Sequence, residues 1–405
     1  MSLTNPHALL LASAPAELHL PILTRLTAEV RDDLLDDGAA PGLVAYALAH
    51  GTAEDRAVLA ENPAVSPDDL AALAATPDEP QLAAGLFGNP SAPREAMLRV
   101  LPFVPDADVL PGGFARNDAM RLDMVRRASV AVESEDPKIL SAVLRMVDSE
   151  FLPLCPAVVL RGCLGLLWTV GREPAWRALR DVRDLVRGDL SAPVRDALAD
   201  PFAPASLGRA LAYESSLPVL LERLRRCRSV DEAVAQLHAP RDPVDWEFVL
   251  DVQRREPLPD FVRAALARQI GCPEVLPPLG SAGALTSTAG PALAVRKGGP
   301  DGLDRLADDS AAARVGRDYT AGRLDVRTLL REGDPVAVAL SLLEARAYDD
   351  EPDIGLDRGV VLAVAELTRP ALGGSADAWV VALNLLGDFA GTLPELVRTA
   401  SAVAA

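Results

Sequence analysis

The chain has 405 residues, of which 49% are hydrophobic, 24% charged and 4% aromatic, and its formal net charge is −18. That length exceeds what one ordinary core fills, so the chain is either several domains or one extended repeat array, and its hydrophobic content excludes a disordered polymer. Scarce Thr, Ile, Tyr and Phe argue against a β-rich fold, abundant Leu and Ala favour helices, and the acidic excess works against binding to phosphate backbones.

Near the N-terminus, the apolar run at 8–14 has no basic residue ahead of it; the first arginine is Arg25. It lacks the charged start of a secretory leader, and no run nears the roughly 18–20 apolar residues of a membrane span. A cytoplasmic, non-membrane protein is expected. Residues 1–115 carry 5 basic against 16 acidic side chains, a net of −11. The clusters Asp32-Asp33 with Asp36-Asp37, and Asp349-Asp350-Glu351 with Asp353, lack the order of a calcium loop and read as solvated acidic patches.

A pattern then recurs: RAVLAENPAVSPDDL at 56–70, LAAGLFGNPSAPREAM at 82–97, RDALADPFAPASL at 195–207 and RAALARQIGCPEVL at 263–276. In each, an apolar helix ends at Asn-Pro, Asp-Pro or Gly, and a second helix starts a few residues on. Asn62-Pro63 and Asn89-Pro90 are 27 residues apart, within the range of solenoid repeats. These segments resemble the leucine-rich repeat variant, a relative of HEAT-like repeats. The match is clearest over 50–101 and partial near 190–212 and 258–280. The resemblance implies an all-α, right-handed solenoid of short paired helices with a concave face, and no activity.

Helix starts elsewhere follow one recipe: a capping Ser, Thr or Asp, often a Pro, early acids, then an apolar stripe. Ser66-Pro67, Asp136-Pro137, Ser229 with Glu232, Asp242-Pro243, Asp334-Pro335 and Thr392 with Glu395 all predict such starts.

The middle of the chain, 116–268, balances 23 basic against 23 acidic residues. Over 174–188, Arg177, Arg180, Arg183 and Arg187 alternate with Asp181 and Asp184 at helical spacing, which suits a salt-laced exposed face. Arg223, Arg225, Arg226 and Arg228 have only Glu222 beside them. They are candidate contacts for an acidic partner or a phosphate, against the plainer reading of a solvated surface. Trp168, Trp176, Trp246 and Trp379 read as core fillers. Trp246, among Asp242, Asp245 and Glu247, is expected to be partly exposed and to be a binding anchor.

Cys155, Cys163, Cys227 and Cys272 show no metal or redox spacing and read as small hydrophobes in a reducing compartment. The four histidines are scattered, and neither phosphate-loop, dinucleotide, nucleophile-elbow nor zinc-protease motifs occur. No catalytic residue, metal ligand or cofactor is therefore named.

Breaks in composition divide the chain into a helical repeat block at 1–104, an Arg-rich helical block at 105–275, a Pro/Gly/Ser-rich linker or loop at 276–301 and a helical block at 302–405. The functional expectation is a non-enzymatic scaffold or adaptor that binds a protein or peptide on its concave face through Arg177, Arg180, Arg223, Arg225, Arg226 and Trp246. Two other readings are a HEAT-like DNA glycosylase or other nucleic-acid-binding solenoid, and a small-molecule-binding helical protein. A nucleic-acid site needs a positive stripe, which a balanced middle block does not supply.

Overall fold

The computed structural model describes residues 5–37, 40–76, 79–110, 118–146, 155–171, 204–273, 276, 325–345 and 358–405. The regular elements among those residues are all helices, with no strand. The first helices are α1 (Pro6–Ser13), α2 (His19–Leu23), α3 (Ala28–Asp37), α4 (Leu43–Ala49) and α5 (Ala53–Glu61). Next come α6 (Pro67–Leu73), α7 (Pro80–Gly88), α8 (Arg94–Val100), α9 (Asp106–Val109), α10 (Asp118–Ala131), α11 (Pro137–Met146) and α12 (Pro156–Thr169). Then follow α13 (Pro204–Glu214), α14 (Leu217–Arg226), α15 (Val230–Leu237), α16 (Trp246–Arg255) and α17 (Asp260–Ala267). The last are α18 (Val326–Glu332), α19 (Val336–Ala345), α20 (Arg358–Leu372), α21 (Ala376–Leu386) and α22 (Leu393–Ala404).

The chain forms two compact units: Met1–Ser66 with Leu293–Ala405, and Pro67–Ala292. The expected linker at 276–301 and the helix at 174–188 lie outside the described residues, apart from Leu276.

The first unit is built around α1. Its residues Leu9, Leu10 and Leu11 are fully buried on consecutive positions, so this helix is apolar all round and belongs inside a bundle. It packs against α3 and, from the far end of the chain, α19, α20 and α21. The orphan carbonyls at its C-terminus are met from α20: Arg369 Nε donates to the Ser13 carbonyl at 2.8 Å and Nη2 to that of Ala14 at 3.3 Å. Trp379 of α21 is fully buried and its indole N–H donates to the Gly373 carbonyl at 3.2 Å. Arg25 pairs with Asp377 at 2.7 Å.

The second unit is mostly a succession of neighbours, with α11 on α12, α12 on α13, α13 on α14 and α14 on α15. It also closes on itself, because α10 packs against α15 through Val125 and Ala235. An open array of nearest-neighbour repeats has no need of that contact. Helix α12 approaches α11 closely through two glycines: a Cβ on Gly162 would sit 2.9 Å from Leu144, and one on Gly165 2.9 Å from Leu140. Gly165→Val is expected to cost about 2 kcal/mol by overpacking this seam. Gly165→Ala should be nearly neutral, since it gains about 1 kcal/mol of helix propensity. Urea unfolding of the two variants measures the difference.

The recurring Asn-Pro segments have the same local structure. Asn62 and Asn89 each cap the C-terminus of a helix, α5 and α7. Each folds its side chain onto the backbone two residues on, accepting from Ala64 N at 2.9 Å and Ser91 N at 2.8 Å. The next helices, α6 and α8, begin at or just after a second proline.

Predicted helix starts are found at Pro67, Pro137, Val230, Val336 and Leu393, the last with a full Thr392–Glu395 capping box. Two differ. The start predicted at Asp242-Pro243 falls three residues later, because Asp245 is the residue whose carboxylate accepts from Phe248 N, at 3.1 Å, while Asp242 N is spent on the Ser215 carbonyl. At Ser229 the hydroxyl accepts from Glu232 N, but the Glu232 carboxylate turns to Arg228 N at 2.8 Å instead of closing the box.

Candidate interaction site

Three arginines of α14 find acidic partners, on the same helix, on the preceding one and past the end of α16. Arg223 points inward, donating to the Glu214 carbonyl and touching the Cys155 thiol, with the Glu214 carboxylate at 3.7 Å. Arg225 reaches Glu256, just past the end of α16, at 3.2 Å, and Arg226 pairs with Glu222 of its own helix at 3.0 Å. Of the four arginines read as a local surplus, these three are therefore paired in the fold. Arg177 and Arg180 lie outside the described residues.

Trp246 stands at the opposite end of α16 from Glu256, about 15 Å along the helix axis. The candidates Arg225 and Trp246 thus do not converge on one point. Trp246 is half-buried and helps to wall a surface cleft of about 200 Å³ with Pro243, Val244 and Ile270. Arg241, Glu95 and Gln269 complete the lining.

Arg241 is nearly inaccessible, with 2% of its side chain exposed, and four of its five N–H donors are engaged. Nε donates to the Leu237 carbonyl at 2.9 Å and Nη1 to that of Asp242 at 3.2 Å. Nη2 meets Glu95 at 3.2 Å and the Gln269 side-chain oxygen at 2.9 Å. This arginine is a structural floor, not a free anion-binding group.

The floor belongs to a polar seam that joins α8 to the C-terminal end of α15. Arg94 Nε donates to the Ala239 carbonyl at 3.1 Å, and Arg94 pairs with Glu133 at 2.7 Å. His238 is buried, with Nδ1 at 2.8 Å from the Val234 carbonyl and Nε2 at 3.0 Å from that of Ala92. Burial and the neighbouring Arg126 and Arg241 push its pKa down to about 3, despite the two carbonyls. Deeper still, Arg126 is 3% exposed and pairs with Asp123 at 2.6 Å, while donating to the carbonyls of Phe87 and Gly88.

From Glu133 the seam runs outward. Arg161 of α12 binds its other carboxylate oxygen at 2.7 Å and lies over the ring of Trp168, 5.6 Å from its centroid. Trp168 is 63% exposed. The expectation that it fills the core is thereby corrected: burial along α12 ends at Leu166, and the last turn projects beyond its neighbours. Trp379 is a core residue as expected, and Trp176 lies outside the described residues.

The four cysteines are free thiols. Burial pushes Cys163 up to about 12 and Cys227 and Cys272 up to about 11, so none is a ready nucleophile. Among the described residues no group of His, Cys, Asp and Glu is arranged to hold a metal, and no helix is long and apolar enough to cross a membrane. No known protein family, curated protein or solved structure matches the chain.

Sequence reasoning singled out Trp246 but missed Arg94, Glu133, Arg161 and Arg241. Their only local signal was mixed charge; their meaning comes from partners 28 to 146 residues away.

Proposed function

We propose that the chain is a non-enzymatic, solenoid-type helical scaffold or adaptor that binds another protein or peptide. The observation that carries this reading is Trp168, an exposed indole held by Arg161, which is itself fixed by Glu133. Tryptophan and arginine are the residue types enriched at the energetic centres of interfaces, and a pre-set ring loses little entropy on binding. The internal pairing of Arg223, Arg225 and Arg226 leaves no unbalanced basic stripe on α14 of the kind a nucleic-acid groove uses.

The test begins with tagged full-length chain incubated in native lysate with nuclease, followed by purification of the recovered partner and titration against it. Trp168→Ala is expected to weaken that binding by about a hundredfold, the effect of a hot-spot residue, without changing the melting temperature. Recovery of nucleic acid that disappears on nuclease treatment, with no stoichiometric protein, would overturn the proposal.

A further inference from the structure

The Trp246 cleft differs from the Trp168 surface in its accessible charge. Its walls are apolar and aromatic, from Pro243, Val244, Trp246 and Ile270, and Ile270 is 36% exposed. Its one lining cation, Arg241, is buried beneath it and neutralised by Glu95. The carboxylates that solvent reaches on the flanking positions are those of Asp242, Asp245 and Glu247, all exposed, while Glu95 keeps 45% of its side chain accessible. An occupant therefore meets an apolar slot with an indole wall, next in sequence to exposed carboxylates.

We propose that this cleft receives a short basic segment of a partner protein, one apolar side chain entering between Trp246 and Ile270 while flanking Arg or Lys residues face Asp242, Asp245 and Glu247. The volume suits one side chain and not a whole ligand of drug size. The three carboxylates select cations by charge complementarity, and the net charge of −18 draws a cationic segment toward the chain. The indole adds a cation–π surface for an arginine or lysine beside the anchor. An acidic or phosphorylated segment is disfavoured, because the guanidinium among the described lining residues is buried, paired with Glu95 and has four of its five N–H donors engaged.

This inference rests on the scaffold reading but is tested apart from it. The probe is a synthetic nonapeptide with a central leucine between arginine pairs, compared with its counterpart bearing glutamates. Binding is followed on the full-length chain by the indole N–H resonances, with that of Trp246 assigned through Trp246→Phe. The basic peptide is expected to shift the Trp246 resonance and the acidic one to leave it in place. Asp242→Lys with Glu247→Lys, both exposed, should weaken the basic peptide by about tenfold through two lost pairings. Equal binding of the two peptides, no movement of the Trp246 resonance, or indifference to the two lysines would each overturn the proposal. If the cleft fails while Trp168→Ala still abolishes partner binding, the scaffold reading stands without it.

Discussion

Asp123→Ala is expected to lower the unfolding free energy by about 3 kcal/mol, because it strands the Arg126 guanidinium in the interior without its counter-charge. Arg126 is 3% exposed, and beyond Asp123 it keeps only neutral partners: the Phe87 and Gly88 carbonyls and the Met97 sulfur. The figure sits at the low end of the range for broken buried pairs because one third of the Asp123 side chain is accessible and those carbonyls remain. The same carboxylate also holds Arg127 at 2.7 Å, so two cations lose their partner together. Removing the charge as well, with Asp123→Ala and Arg126→Met combined, should give a protein more stable than Asp123→Ala alone. A double variant whose loss is the sum of the two single losses would show that the pair is not coupled. Denaturant unfolding supplies the free energies, and hydrogen exchange should place the loss in α7, α8 and α10.

What the sequence made legible was local. Helix ends depend on capping side chains and prolines within a few residues, so Thr392 with Glu395 and the Asn62 and Asn89 turns could be placed without the fold. The apolar stripe of a helix says that one face is covered, but not by what. Nothing in the run at 8–14 announces that its cover comes from α20 and α21, nor that its three consecutive leucines are all fully buried. The candidate site was harder for the same reason. Arg223 and Arg225 read as uncompensated because Glu214 and Glu256 arrive from other helices, and Arg241 could not be told from a surface arginine until Glu95 lay against it. Trp246 was recognisable because its acidic neighbours are adjacent in sequence. Trp168 was not, since its exposure depends on where its neighbours stop covering α12.

The second large effect is a loss of stability on mild acidification, carried by His238. The neutral imidazole has one N–H, which donates to either the Val234 or the Ala92 carbonyl and so ties α15 internally or to the segment before α8. A second proton would satisfy both carbonyls, but burial and then the Arg126 charge oppose it, and the folded pKa falls to about 3. In the unfolded chain the same group titrates near 6.5, about the ordinary histidine value. Between those values the unfolded state binds more protons, so stability is present in full above about pH 6.5 and is withdrawn as the pH falls toward 3. At pH 4.5 the withdrawn share is about 2–3 kcal/mol, since each pH unit in the window contributes about 1.4 kcal/mol. Burial also raises the Asp123 carboxyl, but Arg126 and Arg127 outweigh it and hold its pKa below the usual range. Its contribution is therefore present above about pH 4 and is lost only at lower pH, as the folded value is passed, which separates the two groups. His238→Gln keeps one amide donor for a carbonyl and removes the titration. Its unfolding free energy should fall less than that of the native chain between pH 7 and 4.5, by the same 2–3 kcal/mol, with a constant offset at neutral pH. Parallel pH profiles for the two proteins would mean that His238 is solvated or already protonated in the fold. His238, Arg94 and Arg241 together fasten the end of α15 to the start of α8, and because the folded imidazole stays neutral down to about pH 3, the folded chain keeps the floor of the Trp246 cleft across this interval.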